Sequence, residues 1–162
     1  MKRIISVLLF IAALLSLSSC DALNKTFSEN GLSITLDISF SKQEQRGYDI
    51  CYANSKSAVL ALEEEFSLQE GFGDLTLDEY GEQVRKVNSS KSPSELMHSD
   101  GLTYITYEFF NNTIDEPTTF CYMVTMFKGS DSFWLVMFAC EKQYYDSQQP
   151  LFFKWAKTII VD

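Results

Sequence analysis

A chain of 162 residues, 46% hydrophobic, with 13 Phe, 8 Tyr and 2 Trp, has the length for one domain and ample apolar material for its core. Its formal charge of −9 repels phosphate backbones and anionic lipid headgroups, which argues against nucleic-acid binding and fits a surface that keeps an aromatic-rich domain soluble. One histidine and the lack of any Cys-x-x-Cys pair argue against a zinc site of the usual kind.

The chain opens with a short basic head, Lys2 and Arg3. Ile4 to Leu15 follows as an almost unbroken apolar run, and Leu17-Ser18-Ser19-Cys20 closes the segment. Basic, apolar and small residues in that order are the layout of a secretory signal. The apolar run is about a dozen residues, short of the roughly 20 that span a bilayer. The closing four residues resemble the lipobox of bacterial lipoproteins: an aliphatic residue, two small residues, then the cysteine that takes the lipid. The resemblance implies a signal peptide over residues 1–19, cleaved from the mature protein, and a diacylglyceryl group (palmitate-type chains) on Cys20. It also implies a domain tethered to a bacterial cell membrane on its extracytoplasmic side. Two acyl chains on one residue satisfy the requirement for stable anchoring, because a single chain holds a protein only marginally. Asp21 resembles an inner-membrane retention signal, provided the host has two membranes. Loss of Lys2 and Arg3 with the leader makes the mature chain two units more negative.

Residues 20–30 read as a short polar tether and residues 31–162 as a single domain. Leu32 to Leu36 alternates apolar and polar, the pattern of a half-buried strand, and Tyr48–Ala53 and Ala58–Phe66 are two further strands. Ser41–Gly47 between them is turn-like. Thr76-Leu77-Asp78-Glu79 matches a capping box, so a helix starts at Leu77, with Leu77, Tyr80, Val84 and Val87 along one face. It ends near Asn88, where a Ser-rich linker runs to Ser94. Strands follow at Leu102–Phe110, Thr119–Lys128 and Ser132–Cys140, the last two apolar on both faces. Such strands belong in the middle of a sheet covered on both sides. Ser147 is placed as the cap of a final helix to about Thr158, with Pro150 in its first turn.

The order is βββ-α-βββ-α, and its short connections favour antiparallel pairing. The fold class is α+β, an antiparallel sheet with helices on both faces. That order, with its terminal aromatic helix, is similar to the PsbP/DcrB type, an α/β/α sandwich. The resemblance implies a non-catalytic accessory or assembly role; it carries no metal site onto particular residues.

A hairpin turning at Ser130-Asp131 sets Phe127 opposite Trp134 and Cys121 opposite Cys140. Directly opposed residues lie about 4.5–5.5 Å apart, within reach of a disulfide. An exported location permits oxidation, and two buried thiols are the other reading. Cys51 reads as a core thiol and His98 as an exposed loop residue with no nucleophile motif beside it. The carboxylates Glu63, Glu64, Glu65, Asp74, Asp78, Asp115 and Glu116 lack the spacing of a calcium loop and read as a solvated acidic face. No phosphate-binding glycine loop or dinucleotide fingerprint is present. Phe72, Tyr80, Tyr144 and Tyr145 are the candidate interaction surface, as aromatics bordering a groove. The sequence therefore points to a non-enzymatic envelope lipoprotein with no cofactor, no catalytic residues and no metal. Its expected contacts are the membrane, through Cys20, and an envelope protein partner. A lipoprotein binding a small ligand or metal ion for transport is the alternative.

Overall fold

The computed structural model describes residues 23–112 and 116–162. The expected signal peptide over residues 1–19, together with Cys20, Asp21 and Asp115, lies outside the described residues. Strands β1 (Asn24–Glu29), β2 (Leu32–Asp37), β3 (Ser41–Lys42), β4 (Ile50–Ala53) and β5 (Ser57–Glu65) precede helix α1 (Leu77–Val87). Then come β6 (Met97–Ser99), β7 (Leu102–Asn111), β8 (Thr118–Lys128) and β9 (Ser132–Glu141), helix α2 (Tyr145–Ala156) and β10 (Ile160–Val161). All pairings are antiparallel, in a seven-stranded sheet of order β3-β4-β5-β9-β8-β7-β6 and a three-stranded sheet of order β1-β2-β10. The fold is α+β.

The doubly apolar strands β8 and β9 fall inside the large sheet, in the register the hairpin predicts: Phe127 faces Trp134 and Cys121 faces Cys140. Their alternating side chains split the core into two layers. On one face Tyr80 and Val84 of α1 pack against Ile105, Tyr107, Val124, Met126 and Phe133. On the other, Phe152, Trp155 and Ala156 of α2 pack with Leu32, Ile34 and Leu36 of β2 against Met123, Trp134, Val136 and Phe138. The second face is thus shared between a helix and the small sheet, where the sequence suggested a helix alone. Helix α2 has 12 residues. It is therefore about 18 Å long and 10–12 Å across, whereas seven strands about 4.8 Å apart span roughly 29 Å.

Helix α1 starts as its capping box predicts. Thr76 Oγ1 accepts from the Glu79 amide at 3.2 Å, and Glu79 Oε2 accepts from the Thr76 amide at 2.8 Å. Other expectations are corrected. Residues 24–29, placed in the polar tether, are strand β1. Asn30 and Gly31, with φ of 51° and 82°, form the two-residue turn whose positive φ values match the twist of a hairpin. Ser147 does not cap α2. The helix begins at Tyr145 behind a 3-10 turn, Ser147 Oγ donates to the Tyr144 carbonyl at 2.8 Å, and Pro150 lies inside the helix. His98 sits in strand β6 opposite Thr103, not in a loop. Strands β3, β6 and β10 are two or three residues long, too short to leave a periodic signal.

Asp162 ties the two sheets together. Its amide donates to the Gly31 carbonyl at 3.0 Å and its own carbonyl accepts from the Ser130 amide at 2.8 Å. A Cβ on Gly129 would lie 2.3 Å from that Asp162 carbonyl oxygen, a backbone atom with no rotamer to yield. Gly129→Ala should therefore displace the C-terminus and destabilise the fold by about 1–3 kcal/mol. The check is a lower urea midpoint at unchanged slope.

Candidate functional site

The outer edge of β7 is covered by a strand only at Leu102–Tyr104, where β6 pairs with it. Ser94 takes the next position. Its amide donates to the Thr106 carbonyl at 2.8 Å, and its hydroxyl accepts from the Thr106 amide at 3.0 Å. Beyond Thr106 no strand among the described residues adds to this edge. A groove of about 510 Å³ opens there. Its aromatic wall is Tyr107 and Tyr122, cross-strand partners whose rings stack at 4.9 Å. Lys91 places its ammonium 4.9 Å from the Tyr107 centroid, fixed by a 2.9 Å hydrogen bond to Asn88 Oδ1. Ser92, Ser94 and Thr106 supply hydroxyls, and Cys121 and Tyr145 complete the lining. Glu108 stands at the rim, paired with Lys142 at 2.7 Å.

Burial, followed by the neighbouring phenols of Tyr122 and Tyr48, pushes the Tyr107 hydroxyl well above the usual tyrosine range. Burial first and Tyr48 second raise Tyr122 as well. Both remain neutral phenols at physiological pH. They can stack on and hydrogen-bond an occupant, but they are not poised to take a proton from it.

The four aromatics expected to share one surface divide between two places. Phe72 and Tyr80 meet under α1 with rings 5.9 Å apart, and Tyr80 is buried, stacked on Phe133 at 4.1 Å. Its hydroxyl donates to Glu64 at 2.6 Å, and a smaller cavity of about 200 Å³ lies beside the pair. Tyr144 and Tyr145 instead pack against the core layer on the α2 face. Of the four, Tyr145 alone reaches the β7-edge groove. Sequence reasoning missed Tyr107 and Lys91 as groove residues. Alternation placed tyrosines on the strands, but Lys91 lay in the stretch read as a linker.

Cys121 and Cys140 are buried, directly opposed and free, as is Cys51. Burial, then the adjacent Cys121 and Glu141, pushes Cys140 from 9.0 up to about 12. Burial, then Glu108, raises Cys121 against the opposing pull of Lys142. A shift of that size leaves about a thousandfold less thiolate on Cys140 at neutral pH than on an unfolded thiol. Native Cys140 should therefore resist iodoacetamide at pH 8 by roughly that factor relative to the urea-unfolded chain, read by mass spectrometry of its peptide. The folded chain holds these protons more tightly than the unfolded one. Their contribution to stability is thus fully present below about pH 9 and is lost as pH climbs towards the folded values.

His98 Nδ1 lies 3.2 Å from Thr103 Oγ1, while its Nε2 stands 3.8 Å from Asp78, beyond hydrogen-bond reach. Both side chains are more than half exposed, so their contact adds little stability. Glu63, Glu64 and Glu65 lie along β5 opposite Trp134, Phe133 and Ser132. Among the described residues no three His, Cys, Asp or Glu side chains converge as a metal site would require. Nor is any helix among them long and apolar enough to cross a membrane.

No protein-family model matches the sequence, and no curated protein matches it. Sixteen chains of solved structures are similar, among them the following two. A protein from Bacteroides thetaiotaomicron VPI-5482, determined by crystallography at 1.50 Å, aligns at a TM-score of 0.55 and 12% identity over 86% of this chain. The chain spans about half of that protein, 49% of its length, and at this identity the likeness is one of fold alone. The solution structure of cyanobacterial PsbP (CyanoP) from Synechocystis sp. PCC 6803 aligns at a TM-score of 0.49 and 17% identity. That alignment covers 87% of this chain and 94% of the other.

Proposed function

We propose that this chain is a bacterial lipoprotein, anchored through Cys20 on the extracytoplasmic side of the membrane. It acts there as a non-catalytic binding domain for an envelope protein, in an α/β/α arrangement of the PsbP/DcrB type. The lipobox at Leu17–Cys20 supports the anchor. The observation that carries the binding role is the edge of β7 over Tyr107–Phe110, to which no strand among the described residues adds, with the Tyr107–Tyr122 groove along it. An exposed edge offers backbone groups to an extended segment of a partner, and an adjacent aromatic groove receives its alternate side chains. The test is a photocrosslinking residue at Glu108 on the groove rim, with one at Leu68 as a distant exposed control, in native membranes. A defined adduct at Glu108, absent at Leu68 and weakened by Cys20→Ala, is the expected result. Equal labelling at both positions overturns the reading.

A second reading, a small-ligand binding lipoprotein, is favoured by the groove volume of about 510 Å³. That volume lies within the roughly 300–1,000 Å³ typical of ligand pockets. A ligand of this groove would raise the melting temperature of the soluble domain, and Tyr107→Ala would abolish the shift.

A further inference from the structure

We infer that the corner of the domain carrying Leu23 and Ile38 rests on the lipid bilayer, as an apolar foot beside the anchor. The inference builds on the Cys20 anchor proposed above and adds which surface of the domain the membrane touches. Leu23 and Ile38 are 55% and 58% exposed, and they are adjacent: the Ile38 amide donates to the Leu23 carbonyl at 2.8 Å. Isolated exposed aliphatics are ordinary on protein surfaces. This pair is distinguished by its place in the chain. Three residues lead from Cys20 to Leu23, and a fully extended chain covers at most about 3.3–3.6 Å per residue. Leu23 therefore cannot lie more than roughly 10–11 Å along the chain from the lipidated residue, which sits at the headgroup level.

The geometry holds Ile38 outward. It sits on the turn from Asp37 to Phe40, closed by the Phe40 amide donating to the Asp37 carbonyl at 3.1 Å. Phe40 on the far side is buried with its ring edge-on to Trp155 at 5.0 Å. The next exposed side chain, Ser39, accepts a hydrogen bond from Asn54 at 3.1 Å, and Lys56 follows in that neighbouring loop. The tip carries the aliphatic pair and Ser39, flanked by one charge of each sign, Asp37 and Lys56, although the chain as a whole is acidic. Attraction to anionic headgroups does not hold such a domain down, whereas burial of two aliphatic side chains in the interface does.

The test uses the full-length lipidated protein in phosphatidylcholine vesicles. An environment-sensitive fluorophore is placed on Ile38→Cys, or on Leu68→Cys as a control that is 71% exposed. Labelling under native conditions spares the buried Cys51, Cys121 and Cys140. The expected result is a blue shift at position 38 and its quenching by nitroxide-bearing lipid, with neither at position 68. Emission at position 38 as wet as at 68 overturns the inference, and so does a blue shift that the nitroxide lipid leaves unquenched, since that marks a protein contact. The mass of the Cys20 peptide is read from the same sample. Lipid present with a wet position 38 overturns the foot alone, whereas an unmodified Cys20 overturns the anchor on which it rests.

Discussion

Replacing Phe133 by alanine should lower the unfolding free energy by about 3–5 kcal/mol, a large part of the roughly 5–15 kcal/mol that holds a domain folded. Phe133 is fully buried. Tyr80 stacks on it at 4.1 Å with rings 7° from parallel, and the edges of Phe66 and Phe72 meet it at 5.1 and 5.4 Å. It is thus a central contact through which α1 and the loop before it hold the sheet. The loss combines the transfer energy of a phenyl ring with a cavity that three aromatic neighbours cannot close. Urea unfolding followed by circular dichroism measures it. A loss below about 1.5 kcal/mol would mean that this layer repacks freely, against the geometry described.

Trp155→Ala should cost about as much on the opposite face, again roughly 3–5 kcal/mol. Trp155 meets Phe40 edge-on at 5.0 Å, lies 6.0 Å from Phe152 and 6.5 Å from Phe138, and is 1% exposed. Its buried indole Nε1 has no hydrogen-bond partner among the described residues, and an unsatisfied buried polar group costs about 1–3 kcal/mol. Trp155→Phe keeps an aromatic ring in place and removes that donor, so it should cost clearly less than the alanine variant. Phe40 leans on Trp155 two residues beyond Ile38. The alanine variant should therefore also loosen the turn that presents Ile38, seen as faster amide exchange over Asp37–Phe40. Phe133 and Trp155 belong to separate core layers, so the free-energy losses should nearly add in the double variant, provided it folds.

Much of the architecture was legible in local pattern. The Thr76–Glu79 capping box fixed the start of α1 to the residue, because both of its hydrogen bonds are made within four consecutive residues. The doubly apolar runs of β8 and β9 identified interior strands. The short Gly129–Asp131 connection set their register, which places Cys121 opposite Cys140. Strand β1 was not read from the sequence, because its polar composition resembles a tether: Phe27 is its one aromatic, tilted against Tyr52 at 4.4 Å.

What the sequence by itself determined is whatever depends on residues close in the chain: the cap of α1, the register of the β8–β9 hairpin, the alternation of faces and the α+β class. Whatever depends on where distant segments meet was decided by the tertiary structure. Tyr107 and Lys91 share a groove because Ser94 docks onto Thr106 of β7, and Leu23 meets Ile38 because two strands lie between them. Phe72 and Tyr80 parted from Tyr144 and Tyr145 because the sheet itself stands between the two aromatic layers. Periodicity says which side of a strand is apolar; only packing says which element covers it and which edge is left open.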